Sequence, residues 1–368
     1  MYPSMYPYYD EDQSQLAEAV SRMAADQPQD GSDHWDALVA LGLPALGMPE
    51  AFGGSDAGGR GYHAVLETLG RHGLASPFVA SALCCTRLLM LCATAAQKEQ
   101  LLPALADGTL VLALASGEAQ TDFRLASVQA SACADGDGWQ LQGRKTLVVN
   151  GGQANAWIVT ARTGEGELAL FMVRDGLPGV QVRRFPCIDG SEGCDLDLDA
   201  VRLGPGDRIG AAGQDVLTAL EDAVDAAVAG QCAESIGIQA ALLETTVAYA
   251  RERRQFAAAI GSFQVVQHRL VDMLVALEQA RSLAWLAASV LDGGDACGDA
   301  DERGRLVSAA KVRCIESGRL IGLQAIHLHG GMGMTAELPV GRWVKRLLAI
   351  EHSFGDERHH LSRFAHTP

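Results

Sequence analysis

The chain has 368 residues, enough for two or three units with sizeable cores, and its 48% hydrophobic and 20% charged content is that of a globular protein. A formal charge of -16 excludes the basic, phosphate-facing surface that nucleic-acid binding requires. The Met1-Tyr2-Pro3-Ser4 start lacks the basic-then-apolar run of a secretory signal, and nine cysteines without metal-ligand spacing read as reduced thiols packed as small apolar residues. The expectation is a cytoplasmic protein with no metal site.

From residue 11 to 108 the pattern is helical. Leu16, Val20 and Met23 share one face, and Trp35, Leu38, Leu41 and Leu43 begin another segment. Gly53-Gly54, Gly58-Gly59 and Gly61 predict a loop, after which helical spacing resumes at 63–72, 79–93 and 96–106. The apolar stretch 76–96 is interrupted by Arg87 and opens with Ser-Pro, so it reads as a buried helix and not a membrane span.

Near Val111 short apolar runs begin to alternate with turn residues: 127–133, 139–141, 146–149, 157–161, 168–173 and 180–184. The Asp135-Gly136-Asp137-Gly138 turn between two of them is a strong hairpin signal. This spacing predicts a compact antiparallel sandwich or barrel ending near Gly204-Pro205-Gly206. From Val216 onward helix returns in four long pieces, 217–252, 263–292, 301–329 and 338–365, the natural pattern of an antiparallel bundle. The expected fold is mainly α with a central β unit: an N-terminal helical domain over 1–110, a β-barrel or sandwich over 111–210, and a four-helix bundle over 211–368.

Two segments in the last third carry chemistry. Arg253-Arg254-Gln255-Phe256 is followed by Ile260-Gly261-Ser262-Phe263-Gln264, and His327-Leu328-His329-Gly330-Gly331-Met332-Gly333 comes later. A guanidinium holds phosphate with two parallel hydrogen bonds, and an aromatic ring offers adenine a stacking face. The Gln264 amide donates and accepts toward a base or ribose, and a glycine pair lets backbone N–H groups approach an anion.

These segments resemble the adenine-dinucleotide grip of the acyl-CoA dehydrogenases, which are flavoenzymes. The order of helical domain, β unit and helical bundle is that family's, and Pro49-Glu50 with Phe52-Gly53-Gly54 looks like its early loop. The resemblance implies that Arg253, Phe256, Gln264, His327, Gly330 and Gly331 embrace the adenosine and pyrophosphate of an FAD bound mainly to a neighbouring subunit. The family usually has Gln where this chain has His327. It also implies an oligomer, an acyl-CoA substrate, an electron-transfer flavoprotein as acceptor, and neither nucleic acid nor membrane as partner.

The chain departs from the family pattern at the reacting end. An aromatic-X-X-Thr-Glu-Pro stretch becomes Ser116-Gly117-Glu118, whose Ser116 keeps a hydroxyl for the flavin. A Trp-Ile-Thr stretch becomes Leu147-Val148-Val149, flanked as expected by Lys145 and Asn150. Where the family places its base, in Tyr-Glu-Gly-Thr, this chain has Ser353-Phe354-Gly355-Asp356, and the family's second base location falls near Ala227 and Val228. Nearby carboxylates are Glu351, Asp356 and Asp225; Glu351, one helical turn before Phe354, is the candidate catalytic residue. His352, His359 and His360 read as helix-face histidines.

The run from Ile350 to His360 resembles the small subunit of heteromeric enzymes of the pimeloyl-CoA and steroid-CoA dehydrogenase type. It implies a non-base subunit of an α,β-desaturating acyl-CoA dehydrogenase, completing a partner subunit's FAD site in a heterotetramer. The alternatives are a self-sufficient homotetramer using Glu351, a flavin-dependent oxidase or monooxygenase, and a purely structural or regulatory subunit.

Overall fold

The computed structural model describes residues 9–27, 34–292, 299–335 and 337–366; the N-terminal residues 1–4 and Cys297 lie outside this set. The first helices are α1 (Glu11–Ala25), α2 (Trp35–Ala40) and α3 (Gly59–His72). Asp10 opens α1 with a capping box: its carboxylate accepts from the Gln13 N–H at 2.9 Å, and the Gln13 side chain accepts from the Asp10 N–H. The glycine-rich loop is shorter than expected, because Gly59 and Gly61 already lie in the first turn of α3. Close packing explains this. A Cβ on Gly59 would sit 2.2 Å from the Ala288 carbonyl oxygen, and one on Gly70 would sit 2.1 Å from that of Glu234.

The apolar stretch after Pro77 starts as a π-helical segment, Val79–Cys85, and continues as α4 (Thr86–Cys92). Then comes α5 (Ala95–Ala106), capped by Thr94. The β unit contains β1 (Leu112–Ala115), β2 (Ser131–Asp135), β3 (Gly138–Val148), β4 (Ala156–Thr163), β5 (Leu168–Arg174), β6 (Val180–Pro186), β7 (Glu192–Leu203) and β8 (Arg208–Ile209).

Its eight strands form one sheet in the order β6-β7-β3-β2-β4-β5-β8, with β1 paired to β4. The sheet is mixed, not wholly antiparallel: β1 and β2 both run parallel to β4. The Asp-Gly signal does close the β2–β3 hairpin, where Asp135 pairs with Gly138. Residues 139–141 and 146–148, expected as parts of two strands, belong to the single long β3, bulged between Lys145 and Val148, and Val149 begins the turn after it. Strand β7 carried no strand signal because Asp195, Asp197 and Asp199 alternate with its apolar residues, and aspartate is a poor strand former.

The C-terminal bundle is built on α6 (Val216–Glu252), α7 (Gln264–Val290) and α8 (Ala300–His329). Helix α6 is apolar and long enough to cross a bilayer, but it is the buried centre of this bundle, packed on α3, α7 and α8. A two-stranded ribbon, β9 (Arg254–Gln255) with β10 (Ala258–Ala259), joins α6 to α7. The expected fourth helix is two helices, α9 (Val340–His352) and α10 (Glu357–His366). They are broken by a turn in which Phe354 has φ +56° and Gly355 φ +116°, neither compatible with continuing α-helix.

Candidate functional site

One end of the bundle gathers the first group of chemical residues. Arg253 follows the last residue of α6, and its N–H donates to the Tyr249 carbonyl at 2.8 Å. One turn back, the Tyr249 ring stacks on His329 with centroids 4.4 Å apart, and the Tyr249 hydroxyl reaches the His329 carbonyl at 3.5 Å. His329 is the last residue of α8, so this stack brings Arg253 and Gly330 to the same end of the bundle. Arg269 of α7 adds a second tie, with a guanidinium nitrogen 3.1 Å from His327 Nδ1. Tyr249 and Arg269 were not singled out from the sequence; only the packing of α6 and α7 against α8 brings them to His329 and His327.

Between α6 and α7 the ribbon turns on Phe256 and Ala257, at φ +55° and +64°. Such a turn favours Asn-Gly, since other side chains are strained there by about 1–2 kcal/mol each. The Phe256 ring is nonetheless 90% exposed. Arg253 and Gln264 are exposed as well, Gln264 as the first residue of α7. Gly330 has φ +60°, and the space where a Cβ would project from Gly330 or Gly331 is open. An uncovered aromatic face, an uncovered guanidinium and a backbone free of side chains suit the nucleotide half of FAD.

The β unit supplies the second group. Ser116 follows β1 half-buried, and the neighbouring Gly117 carbonyl accepts from the Thr146 N–H at 2.9 Å. Glu118 accepts from Lys145 Nζ at 2.7 Å and from the N–H groups of Gln129 and Ala130 at 2.9 and 3.1 Å. Burial pushes the Glu118 pKa up, but the Lys145 bond and these amides hold it below the usual carboxylate range. At the bulge after Lys145, Leu147 has φ +54° and is 73% exposed. Its N–H donates to Asp195 at 3.0 Å, and Asp195 is fixed by Arg144 and Arg183. The bulge thus aims an apolar side chain outward under strain. The residues themselves fit a flavin ring poorly: Leu147 has no ring to stack, and the Val149 side chain has no hydrogen to donate.

The third group surrounds Phe354. Glu351 is buried beneath Arg319, whose Nε and Nη2 donate to its two carboxylate oxygens at 3.0 and 2.5 Å. Asp356 caps α10, accepting from the His359 N–H at 2.8 Å. Asp225, fully buried on α6, lies between Arg303 and Arg363. Ala227 and Val228 are fully buried and apolar.

The Phe354 carbonyl lies 3.3 Å from Nε2 of His360. Burial, then the nearby positive charges of Lys311 and Arg363, push the His360 pKa down to about 2, so this ring is neutral. His360 is therefore a core residue rather than one of three solvated histidines; His352 remains exposed. Among the described residues no cluster of His, Cys, Asp or Glu could hold a metal ion. A cavity of about 210 Å³ lies away from these residues, between α5 and the β unit, lined by Gln97, Met172 and Arg174 among others.

Comparison with known proteins agrees with this architecture. Residues 10–109 match the acyl-CoA dehydrogenase N-terminal domain, 113–201 the middle domain and 219–366 the C-terminal domain. A probable acyl-CoA dehydrogenase of Mycobacterium tuberculosis, FadE25, is 33% identical over 322 residues, covering 84% of this chain and 81% of its own. The ChsE4-ChsE5 complex from Mycobacterium tuberculosis contains a chain that is 26% identical with a TM-score of 0.85, covering 99% of this chain and 100% of that one. PigA, solved with FAD and proline, is 27% identical with a TM-score of 0.88, covering 98% of each chain. The chain belongs to the acyl-CoA dehydrogenase family, FAD-dependent enzymes that act on CH–CH bonds.

Proposed function

We propose that this chain is the non-base subunit of a heteromeric acyl-CoA dehydrogenase that introduces an α,β double bond into an acyl-CoA thioester. One observation carries the reading. The three carboxylates near Phe354, which by the resemblance takes the family's base position, are already engaged: Glu351 with Arg319, Asp356 as a helix cap, and Asp225 with Arg303 and Arg363. Removing the weakly acidic α-proton needs a placed carboxylate with a free lone pair. In this reading the partner subunit supplies that carboxylate.

The chemistry that bound FAD would supply is a hydride acceptor for the β-hydrogen. This chain's own part is to hold the nucleotide end: Arg253 neutralises pyrophosphate charge, Phe256 stacks on adenine, and Gln264 and His327 hydrogen-bond the adenosine. Gly330 and Gly331 give backbone N–H groups access to the phosphates. Leu147 and Val149 make a weak ring site, so the flavin belongs chiefly to the partner, with Ser116 left as a minor contact. The apolar residues Val271, Leu274 and Val275 on α7 and Leu320 and Leu323 on α8 are exposed, which suits burial against another subunit. ChsE4-ChsE5, solved as a complex, is precedent for a two-component assembly on this fold. We assign the substrate to the steroid-derived or pimeloyl-type thioesters implied by the Ile350–His360 run. Electron-transfer flavoprotein is the acceptor and the cytoplasm the compartment.

The test is co-expression with the partner acyl-CoA dehydrogenase chain, followed by flavin counting. Half a flavin per chain supports the shared site. One flavin per chain, or activity of this chain purified alone, overturns it. Glu351→Gln in the complex is expected to leave turnover within twofold of the parent; a loss of a hundredfold or more would restore the self-sufficient reading.

A further inference from the structure

Lys311 lies midway along α8 and is fully buried. Its three ammonium donors meet three acceptors: Gln231 Oε1 at 2.9 Å, the Ile350 carbonyl at 2.6 Å and the Ser353 carbonyl at 3.1 Å. Two of the three lie at the C-terminal end of α9, where the dipole is negative; the Ile350 carbonyl also accepts from the Ser353 N–H at 3.2 Å. The next carbonyl along, that of Phe354, faces His360 Nε2 at 3.3 Å, while His360 Nδ1 lies 3.2 Å from the Ser308 hydroxyl. With Nε2 as donor, Nδ1 accepts from Ser308, and the carbonyls of residues 350, 353 and 354 are all held by buried side chains. Held between them is Phe354, a bulky residue in the left-handed region at φ +56°. Strain of this kind persists only where surrounding contacts over-determine it, and bonds from an ammonium are about twice as strong as neutral ones.

We propose that Lys311 is a positioning residue that, with His360, holds the turn between α9 and α10 so that Phe354 stays fixed in its left-handed conformation. The functional sense of this rests on reading Phe354 as the occupant of the base position. In that reading the brace keeps a fixed apolar side chain where other members of the family place their base. Burial lowers the Lys311 pKa to about 8, so the brace weakens in an accessible range. The titratable and charged groups facing Lys311 are Cys232 and Glu234 from α6, Cys314 from α8, Arg346 from α9 and His360 from α10.

Hydrogen exchange on the full chain tests the brace without reference to any partner or flavin. In Lys311→Met, amides of residues 353–357 should exchange about tenfold faster at pH 7, while α6 keeps its protection. Adding Phe354→Gly, which removes the strain, should return most of that protection; a lysine that merely fills the core would not be rescued this way. In the unmodified chain, exchange of the same amides, corrected for intrinsic base catalysis, should rise between pH 7 and 9. The same rise should persist in Cys232→Ala and Cys314→Ala and vanish in Lys311→Met. Unchanged protection in a folded Lys311→Met overturns the proposal. If that variant does not fold, a flat pH series in the unmodified chain overturns it equally. A flavin count of one per chain would refute the heteromer and leave this result untouched.

Discussion

Phe256→Ala separates binding from folding, because the two effects differ in size. A phenylalanine side chain presents about 150–250 Å². At 90% exposure Phe256 buries only about a tenth of that, roughly 20 Å². At about 25 cal/mol per Å² the loss to the folded chain is about 0.5 kcal/mol. The ring also sits at a strained φ of +55°, which alanine shares, so truncation does not relieve the backbone. Stacking a base on an aromatic ring is worth about 1–3 kcal/mol by alanine substitution, or roughly 5- to 150-fold in affinity. The expected outcome is a midpoint of chemical unfolding almost unmoved, with FAD dissociating from the assembled complex five- to 150-fold more readily. Urea unfolding of the chain and flavin fluorescence during dialysis of the complex measure the two quantities. Unchanged flavin affinity would refute the nucleotide grip, and a collapse in stability would show that Phe256 is a packing residue.

Three further outcomes follow from specific contacts. Ala257→Gly removes a left-handed non-glycine residue at φ +64° and should stabilise the chain by about 1 kcal/mol, raising the melting temperature by about 1 °C in calorimetry. Asp225→Asn leaves Arg303 and Arg363 facing each other without their shared anion, and urea unfolding should show a loss of about 3 kcal/mol. Burial raises the Glu67 pKa, but hydrogen bonds and charge from His63, with Arg281 and the Tyr9 hydroxyl, outweigh it and bring the pKa down to about 2. A depressed carboxylate pKa gives stability that is complete above the unfolded value of about 4.3 and is lost as pH falls toward 2. Denaturation between pH 5 and 2.5 should therefore show a decline of about 2 kcal/mol, and Glu67→Gln should flatten that part of the curve.

The residues by themselves determined the element types and their order. Helical spacing over α1, α3 and α6–α8, the Asp-Gly turn of β2–β3 and the ribbon-and-glycine segments of the grip are local patterns, and local patterns survive in any fold that contains them. Strand β7 escaped because its aspartates are tolerated only through distant partners: Arg144 on β3 and Arg183 on β6 hold Asp195 inside the sheet. The break after α9 was legible in Gly355 and the capping Asp356, a stop and a start that the helical spacing on either side masked; that Lys311, from α8, and His360 bond the carbonyls of this turn was not. Likewise nothing in Glu351 or Asp225 announces that Arg319, Arg303 and Arg363 neutralise them. Sequence thus settled which groups the chain owns, whereas tertiary structure decided which of them are free to act. A carboxylate's availability depends on the charges packed against it, and those come from helices far away along the chain.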